Sequence, residues 1–222
     1  MRFFDFILAL IGIAFLIPLF LPIAILIKLD SEGPIIYSQE RVGFKGKIFR
    51  LYKFRTMVIH AHQTGTSVTS SKDPRITKVG RFLRKTKLDE LPQVWNVLKG
   101  DMSIVGPRPD VPEIVKNYTP EMKRIFDVLP GITSNASLSL CQEEELLSLA
   151  NNPEQAYKEI FVPAKVKFAL DHVEKKSFWF GLSILMKTLW ALTGGKIFTT
   201  KEHPMVKEIK EQILLHNRKE KI

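Results

Sequence analysis

No charged side chain occurs between Phe6 and Ile27, and two prolines, Pro18 and Pro22, interrupt this apolar run. Arg2, Asp5 and Lys28 mark its edges. A run of about twenty apolar residues is long enough to cross a bilayer. Each proline inside it removes a backbone donor and clashes with the preceding turn, and a simple anchor rarely carries two such breaks four residues apart. The pattern predicts a helix that enters the membrane, bends near Pro18 and returns to the side it came from. A cleaved signal peptide fits less well. The run is long for an h-region, Arg2 is offset by Asp5, and no small-x-small cleavage site follows.

Charge is distributed unevenly over the 222 residues. The formal net charge is +10, yet the stretch from Arg41 to Lys87 alone holds thirteen Lys or Arg against one acid, Asp73. A basic block beside a membrane segment suits anionic headgroups, each cation contributing about 1 kcal/mol near the surface. It equally suits phosphate-bearing substrates, and charge alone leaves nucleic acid open. Cys141 is the sole cysteine, so no intrachain disulfide can form, which fits a cytosolic face.

Hydrophobic periodicity and turn residues predict an α+β chain in three parts. These are a re-entrant membrane helix over residues 1–29, a small cytosolic domain over 30–200 with a short β-hairpin and amphipathic interfacial helices, and a charged amphipathic helix over 201–222. Ile35–Ser38 and Lys47–Phe54 read as strands of a hairpin turned by Gly43-Phe44-Lys45-Gly46. Residues 60–74, with His60 and His62, read as a polar loop. Ile76–Lys85 reads as a helix with Lys78, Arg81, Arg84 and Lys85 along one face. Leu88–Leu98 reads as the next helix, closed by Lys99-Gly100, and Pro92 places its start near Leu88. Ser177–Thr193, with Trp179 and Trp190 near its ends and Gly194-Gly195 after it, is short for a bilayer span and suits a surface-lying or buried helix. Pro204–His216 carries Val206, Ile209, Ile213 and Leu214 on one face.

The candidate chemistry centres on Asp89-Glu90. The helix start places both carboxylates in a first turn, where free amides and the helix dipole favour negative charge. Arg84, Lys85 and Lys87 precede the pair and Arg108 follows it. Arg108 lies in Gly106-Pro107-Arg108-Pro109, where the flanking prolines stiffen the loop. A held guanidinium makes bidentate bonds to phosphate at little entropic cost. Lys53 and Arg55, two apart on a strand, share one face.

The block LDELPQVWNVLKGDMSIVGPRP, Leu88–Pro109, resembles the small monotopic phosphoglycosyl transferases of the bacterial sugar transferase family. RFFDFILAL (Arg2–Leu10), SQERVG (Ser38–Gly43) and YKFRTM (Tyr52–Met57) match that family in the same order, and LPGIT (Leu129–Thr133) matches more weakly. The resemblance implies transfer of a sugar 1-phosphate from a UDP-sugar donor to polyprenol (undecaprenyl) phosphate, with release of UMP, at the cytoplasmic face of the bacterial inner membrane. It implies that Asp89 is the nucleophile of a covalent phosphosugar intermediate, that Glu90 assists the acceptor, and that Mg²⁺ sits beside Asp89. Arg55, Arg84 and Arg108 fall where the family handles phosphate, and Pro18 falls at its helix bend.

The chain departs from the family pattern after LPGIT, where Ser134–Cys141 and the acidic Gln142–Glu145 replace a glycine- and arginine-containing stretch. Ile17 stands where a serine is usual. A competing reading is a membrane-tethered basic module that binds nucleic acid or anionic lipid without catalysis. It gives no reason for LDELPQ or GPRP, so nucleic acid is not expected as a partner.

Overall fold

The computed structural model describes residues 2–61, 69, 73–140, 143–175, 177–192 and 204–219. His62 and most of the loop predicted around it, Cys141, Gly194-Gly195 and the expected boundary at 200/201 lie outside these residues.

Helix α1 spans Arg2–Asp30 and contains both prolines, so the break expected at Pro18 is not a division of the helix. One face of α1 is committed to the rest of the chain. Ala9 packs with Leu51, Val97 and Met102, the Phe20 ring lies 5.1 Å from Phe54, and Ile23 and Ile27 pack with Phe54 and Leu83. These positions recur at helical spacing with Asp5 and Leu16. At 3.6 residues per turn, Pro18 and Pro22 fall on the opposite face, where both are exposed. The donors they lack are therefore missing from the outer surface, and the packed face stays intact. Beside them Phe15 is 73 % and Leu21 67 % exposed.

Strands β1 (Ile36–Val42) and β2 (Ile48–Phe54) pair antiparallel, Ile36 opposite Phe54 and Val42 opposite Ile48. The predicted hairpin is present, but β1 runs four residues beyond Ser38. Its Gln39-Glu40-Arg41 segment is polar because a strand in a two-stranded sheet keeps an exposed edge and face. Helix α2 spans Lys78–Thr86, capped by Thr77, whose Oγ1 accepts from Gly80 N at 3.0 Å. The single helix expected over Leu88–Leu98 is instead a 3₁₀ turn, Leu88–Gln93, followed by α3, Val94–Lys99. Pro92 explains the difference: it cannot donate, and its ring would strike the carbonyl four residues back in an α-helix, so the segment that contains it winds as the tighter turn.

Two further strands were not legible beforehand. β3 (Ser103–Val105) and β4 (Gly131–Thr133) pair in parallel. The approach needs glycines, since a Cβ on Gly131 would stand 2.0 Å from Gly106 N. Short helices α4 (Pro112–Val115), α5 (Asn135–Ser139), α6 (Glu143–Leu147) and α7 (Pro153–Ala156) lead through a π turn at Tyr157–Phe161 into α8, Val162–Glu174. Helix α9 (Phe178–Leu192) seats Ile184 against Val105 and Leu138, while Trp179 and Trp190 face outward. Helix α10, Pro204–Lys219, buries Val206, Ile209 and Ile213 in one cluster with Leu147, Ile160 and Phe161. The fold is thus mixed helix and sheet, with two small sheets, and its C-terminal helix is part of the core.

Candidate active site

Lys87 adopts a left-handed conformation, φ 60°, and turns the chain sharply from α2 into the 3₁₀ turn. This corner places Asp89 and Glu90 in a first turn, facing β2 and the loop after β3. Lys53, on β2, reaches both acids: its Nζ lies 3.7 Å from Asp89 Oδ2 and 3.1 Å from Glu90 Oε1. Arg108 closes on Glu90 as a fork, Nη2 donating to Oε1 at 2.6 Å and Nη1 to Oε2 at 3.2 Å. Four charged groups from three segments thus form one cluster.

The two carboxyls differ in environment, and their proton affinities are pushed apart. Asp89 is only 5 % exposed. Burial raises its pKa, and the opposing fields of Lys53 and Arg84 do not cancel that effect. Burial acts on Glu90 as well, but Arg108 and Lys53 outweigh it and hold this carboxyl well below the usual range. Glu90 in turn raises the Arg108 pKa. Desolvation lowers the Lys53 pKa despite both acids. A carboxylate pair with such divergent surroundings can divide two roles between its members.

Asp89 Oδ1 is buried and makes no hydrogen bond. Such an orphaned oxygen costs free energy unless a ligand supplies a partner. Among the described residues no cluster of three or more His, Cys, Asp or Glu forms a ready cage for a metal. Mg²⁺ does not need one, since it commonly binds through one or two carboxylates and completes its shell with water and substrate phosphates. Asp89, with Glu90 beside it, fits that kind of site.

The expected phosphate-binding arginines separate. Arg108 joins the acids, and Arg84 is close enough for its charge to act on Asp89. Arg55 does not join them. Its Nη2 donates to Ser31 O at 2.6 Å and Ile27 O at 3.3 Å, and its Nη1 donates to Glu32 O. It caps the C-terminus of α1, where unsatisfied carbonyls favour a cation. Of the two cations expected to share a strand face, Lys53 is the one that stands at the acids. Its position two residues from Arg55 carried the signal, but parity along the strand cannot separate the two.

The acids also stand next to the apolar helix. Leu91 and Pro92, one and two residues after Glu90, line a small apolar cleft with Leu16, Phe20, Ile23 and Phe54. At the other end of α1, the Asp5 carboxylate accepts from Ser103 Oγ at 2.9 Å and from Ile104 N at 3.1 Å. Among the described residues one helix, α1, is long and apolar enough to cross a membrane, and both of its ends are fastened to the part of the chain that carries the acids.

The site is thus a cluster of two carboxylates, a lysine and an arginine built against an apolar helix. The family model for bacterial sugar transferases matches residues 1–195, and the chain belongs to that family. A Bacillus subtilis (strain 168) protein, provisionally named an undecaprenyl-phosphate N-acetylgalactosaminyl 1-phosphate transferase, is 47 % identical over 132 residues, covering 60 % of this chain and 70 % of that one. UDP-N-acetylgalactosamine-undecaprenyl-phosphate N-acetylgalactosaminephosphotransferase of Aeromonas hydrophila is 35 % identical over 196 residues, 86 % of this chain and 43 % of that one. UDP-glucose:undecaprenyl-phosphate glucose-1-phosphate transferase of Escherichia coli (strain K12) is 36 % identical over 193 residues, 84 % of this chain. The chain spans only 38 % of that last relative.

Proposed function

We propose that this protein transfers a sugar 1-phosphate from a UDP-sugar to undecaprenyl phosphate, releasing UMP, as a first membrane step of glycoconjugate assembly. The observation that carries the reading is the cluster of Asp89, Glu90, Lys53 and Arg108 set against the apolar helix. The names of the relatives point to the same donor and acceptor classes.

Chemistry follows from the charges. An Asp89 carboxylate oxygen attacks the phosphorus that bears the sugar. The bond from that phosphorus to the bridging oxygen breaks, and UMP departs with the electron pair. An acyl phosphate links Asp89 to the sugar phosphate. A phosphate oxygen of the lipid acceptor then attacks the same phosphorus, the Asp89 oxygen leaves, and the product is a polyprenyl diphosphate sugar. Two displacements through a carboxylate replace one difficult transfer. Glu90, kept ionised by Arg108 and Lys53, assists the acceptor by holding those two cations where its phosphate approaches. Arg108, Lys53 and Arg84 offset the repulsion between a carboxylate and a pyrophosphate, the main obstacle in such chemistry. Bound at Asp89, Mg²⁺ would supply Lewis-acid neutralisation of the phosphate oxygens.

Helix α1 enters one leaflet and does not cross the bilayer, with the acid-bearing part of the chain on the cytoplasmic face. A single pass would separate the two ends of α1 by the bilayer, whereas Asp5 and Ile27 are both fastened to one domain. The cleft at Leu91-Pro92 then gives the first carbons of the acceptor a place beside the carboxylates.

The test uses purified protein in detergent or nanodiscs with a panel of UDP-sugars, Mg²⁺ and undecaprenyl phosphate. UMP is expected as the nucleotide product, and Asp89→Asn is expected to abolish it. Release of UDP overturns the reading. For topology, labels before Met1 and within the domain are expected on the same side of sealed vesicles, and opposite sides overturn the re-entrant arrangement.

A further inference from the structure

A second polar network borders the acid cluster, and the transfer chemistry does not use it. Arg108 is followed by Pro109, whose ring locks φ, and by Asp110. Three elements grip this short segment. From β1, Arg41 Nη1 donates to Pro109 O at 3.1 Å and Val42 N to Asp110 O at 2.9 Å. Tyr118 Oη donates to Asp110 Oδ2 at 2.7 Å, and Tyr157 Oη approaches Oδ1 at 3.5 Å. From α8, Lys165 Nζ donates to Tyr157 Oη at 3.2 Å and to Glu143 Oε1 at 2.6 Å. Lys165 also lies 4.6 Å from the centre of the Tyr157 ring. Its side chain is 14 % exposed and that of Glu143 is 26 %, so solvent screens the pair weakly.

Glu143 has a second cation within its field. Burial lowers the Lys165 pKa, but Glu143, Tyr157 and Asp110 more than reverse this, up to about 12. The same Glu143 charge adds to the pull of Glu90 in raising the Arg108 pKa. The Glu143 charge therefore pulls on Arg108 through its field, against the direct hold of Glu90, while Lys165 is its hydrogen-bonded partner.

We propose that Lys165 is a positioning residue: by tying down Glu143 and bracing Tyr157 against Asp110, it keeps Arg108 directed at Glu90 and at the donor phosphate. This rests on the phosphosugar transfer proposed above. Displacements on the order of 1 Å in such a clamp cost about a hundredfold in rate. Of the residues that build it, Glu143 lies in the stretch after LPGIT that departs from the family pattern, and Tyr157 and Lys165 follow it in the chain.

The test measures UMP release by the full chain against donor concentration, with the melting temperature of each variant recorded. Lys165→Met is expected to lower kcat/KM for the UDP-sugar at least about tenfold while KM for the lipid phosphate stays within twofold. Lys165→Arg keeps the charge and is expected to recover most of the loss. The double variant Lys165→Met with Glu143→Gln removes the competing charge and is expected to recover at least half of it on a logarithmic scale. A merely structural lysine would show no such recovery, because the double variant loses both partners. Lys165→Met within twofold of the parent, or a double variant as impaired as the single one at equal melting temperature, overturns the inference. If Lys165→Met does not fold, Tyr157→Phe decides in its place: a loss of kcat/KM for the donor supports the clamp, and parental values overturn it. A parent that releases no UMP refutes the transfer reading itself, a result distinct from either outcome.

Discussion

Replacing Glu90 by Gln tests whether the acid cluster is an electrostatic unit. Glu90 is the point where Arg108 and Lys53 converge, with contacts of 2.6, 3.2 and 3.1 Å. Removing one partner from a buried pair costs about 3–5 kcal/mol. Gln keeps one acceptor oxygen, and the Arg108 side chain is 36 % exposed, so screening argues for about 2–3 kcal/mol. For a chain of this size each kcal/mol moves the melting temperature by about 2–4 °C, and the expected decrease at pH 7 is about 4–12 °C. The pH dependence supplies the sign. Glu90 has a folded pKa well below its unfolded value, so its stabilisation is fully present above the unfolded pKa of about 4.3 and is lost as pH falls through the folded pKa. The parent and Glu90→Gln should therefore converge in thermal unfolding, followed by circular dichroism in detergent, as pH is lowered from 7 towards 3. Equal melting temperatures at pH 7, or a gap that persists unchanged at pH 3, refutes the reasoning.

Gly131→Ala should lower the melting temperature, because its Cβ would fall 2.0 Å from Gly106 N and overpacking costs about 1–3 kcal/mol; parental stability would contradict the close β3–β4 approach. Asp5→Ala removes the acceptor of Ser103 and Ile104, so limited proteolysis should cut sooner near Arg2; unchanged cleavage would contradict the N-terminal fastening of α1. Arg55→Met should destabilise the protein by uncapping α1 while KM for the donor changes less than in Arg108→Met; the reverse order would return Arg55 to the phosphate site.

Local signals in the sequence were reliable where a residue type has one physical use. Gly43 to Gly46 marked the hairpin turn, Pro92 marked a turn starting at Leu88, though a 3₁₀ turn rather than the expected helix, and the Asp89-Glu90 pair stood out beside its cations. Signals failed where the decisive contact is distant. Lys53 and Arg55 share a strand parity, but β2 ends at Phe54, so parity no longer governs Arg55 and its guanidinium turns to α1. β3 and β4 are three residues each, too short for alternation to register. Helix α8 begins at Val162 with Pro163 in its first turn, a position where proline is tolerated although in sequence it reads as punctuation. The Tyr157–Asp110 contact joins residues 47 apart, and no periodicity announces it.

The most direct measurement traps the intermediate. The full chain is incubated with Mg²⁺ and the UDP-sugar that supports turnover, without lipid acceptor, then quenched and digested for mass spectrometry. The expected result is one UMP per active site and a sugar-phosphate mass on Asp89, absent in Asp89→Asn and discharged by added undecaprenyl phosphate. UMP formed only when acceptor is present, with Asp89 unmodified, would contradict the covalent mechanism.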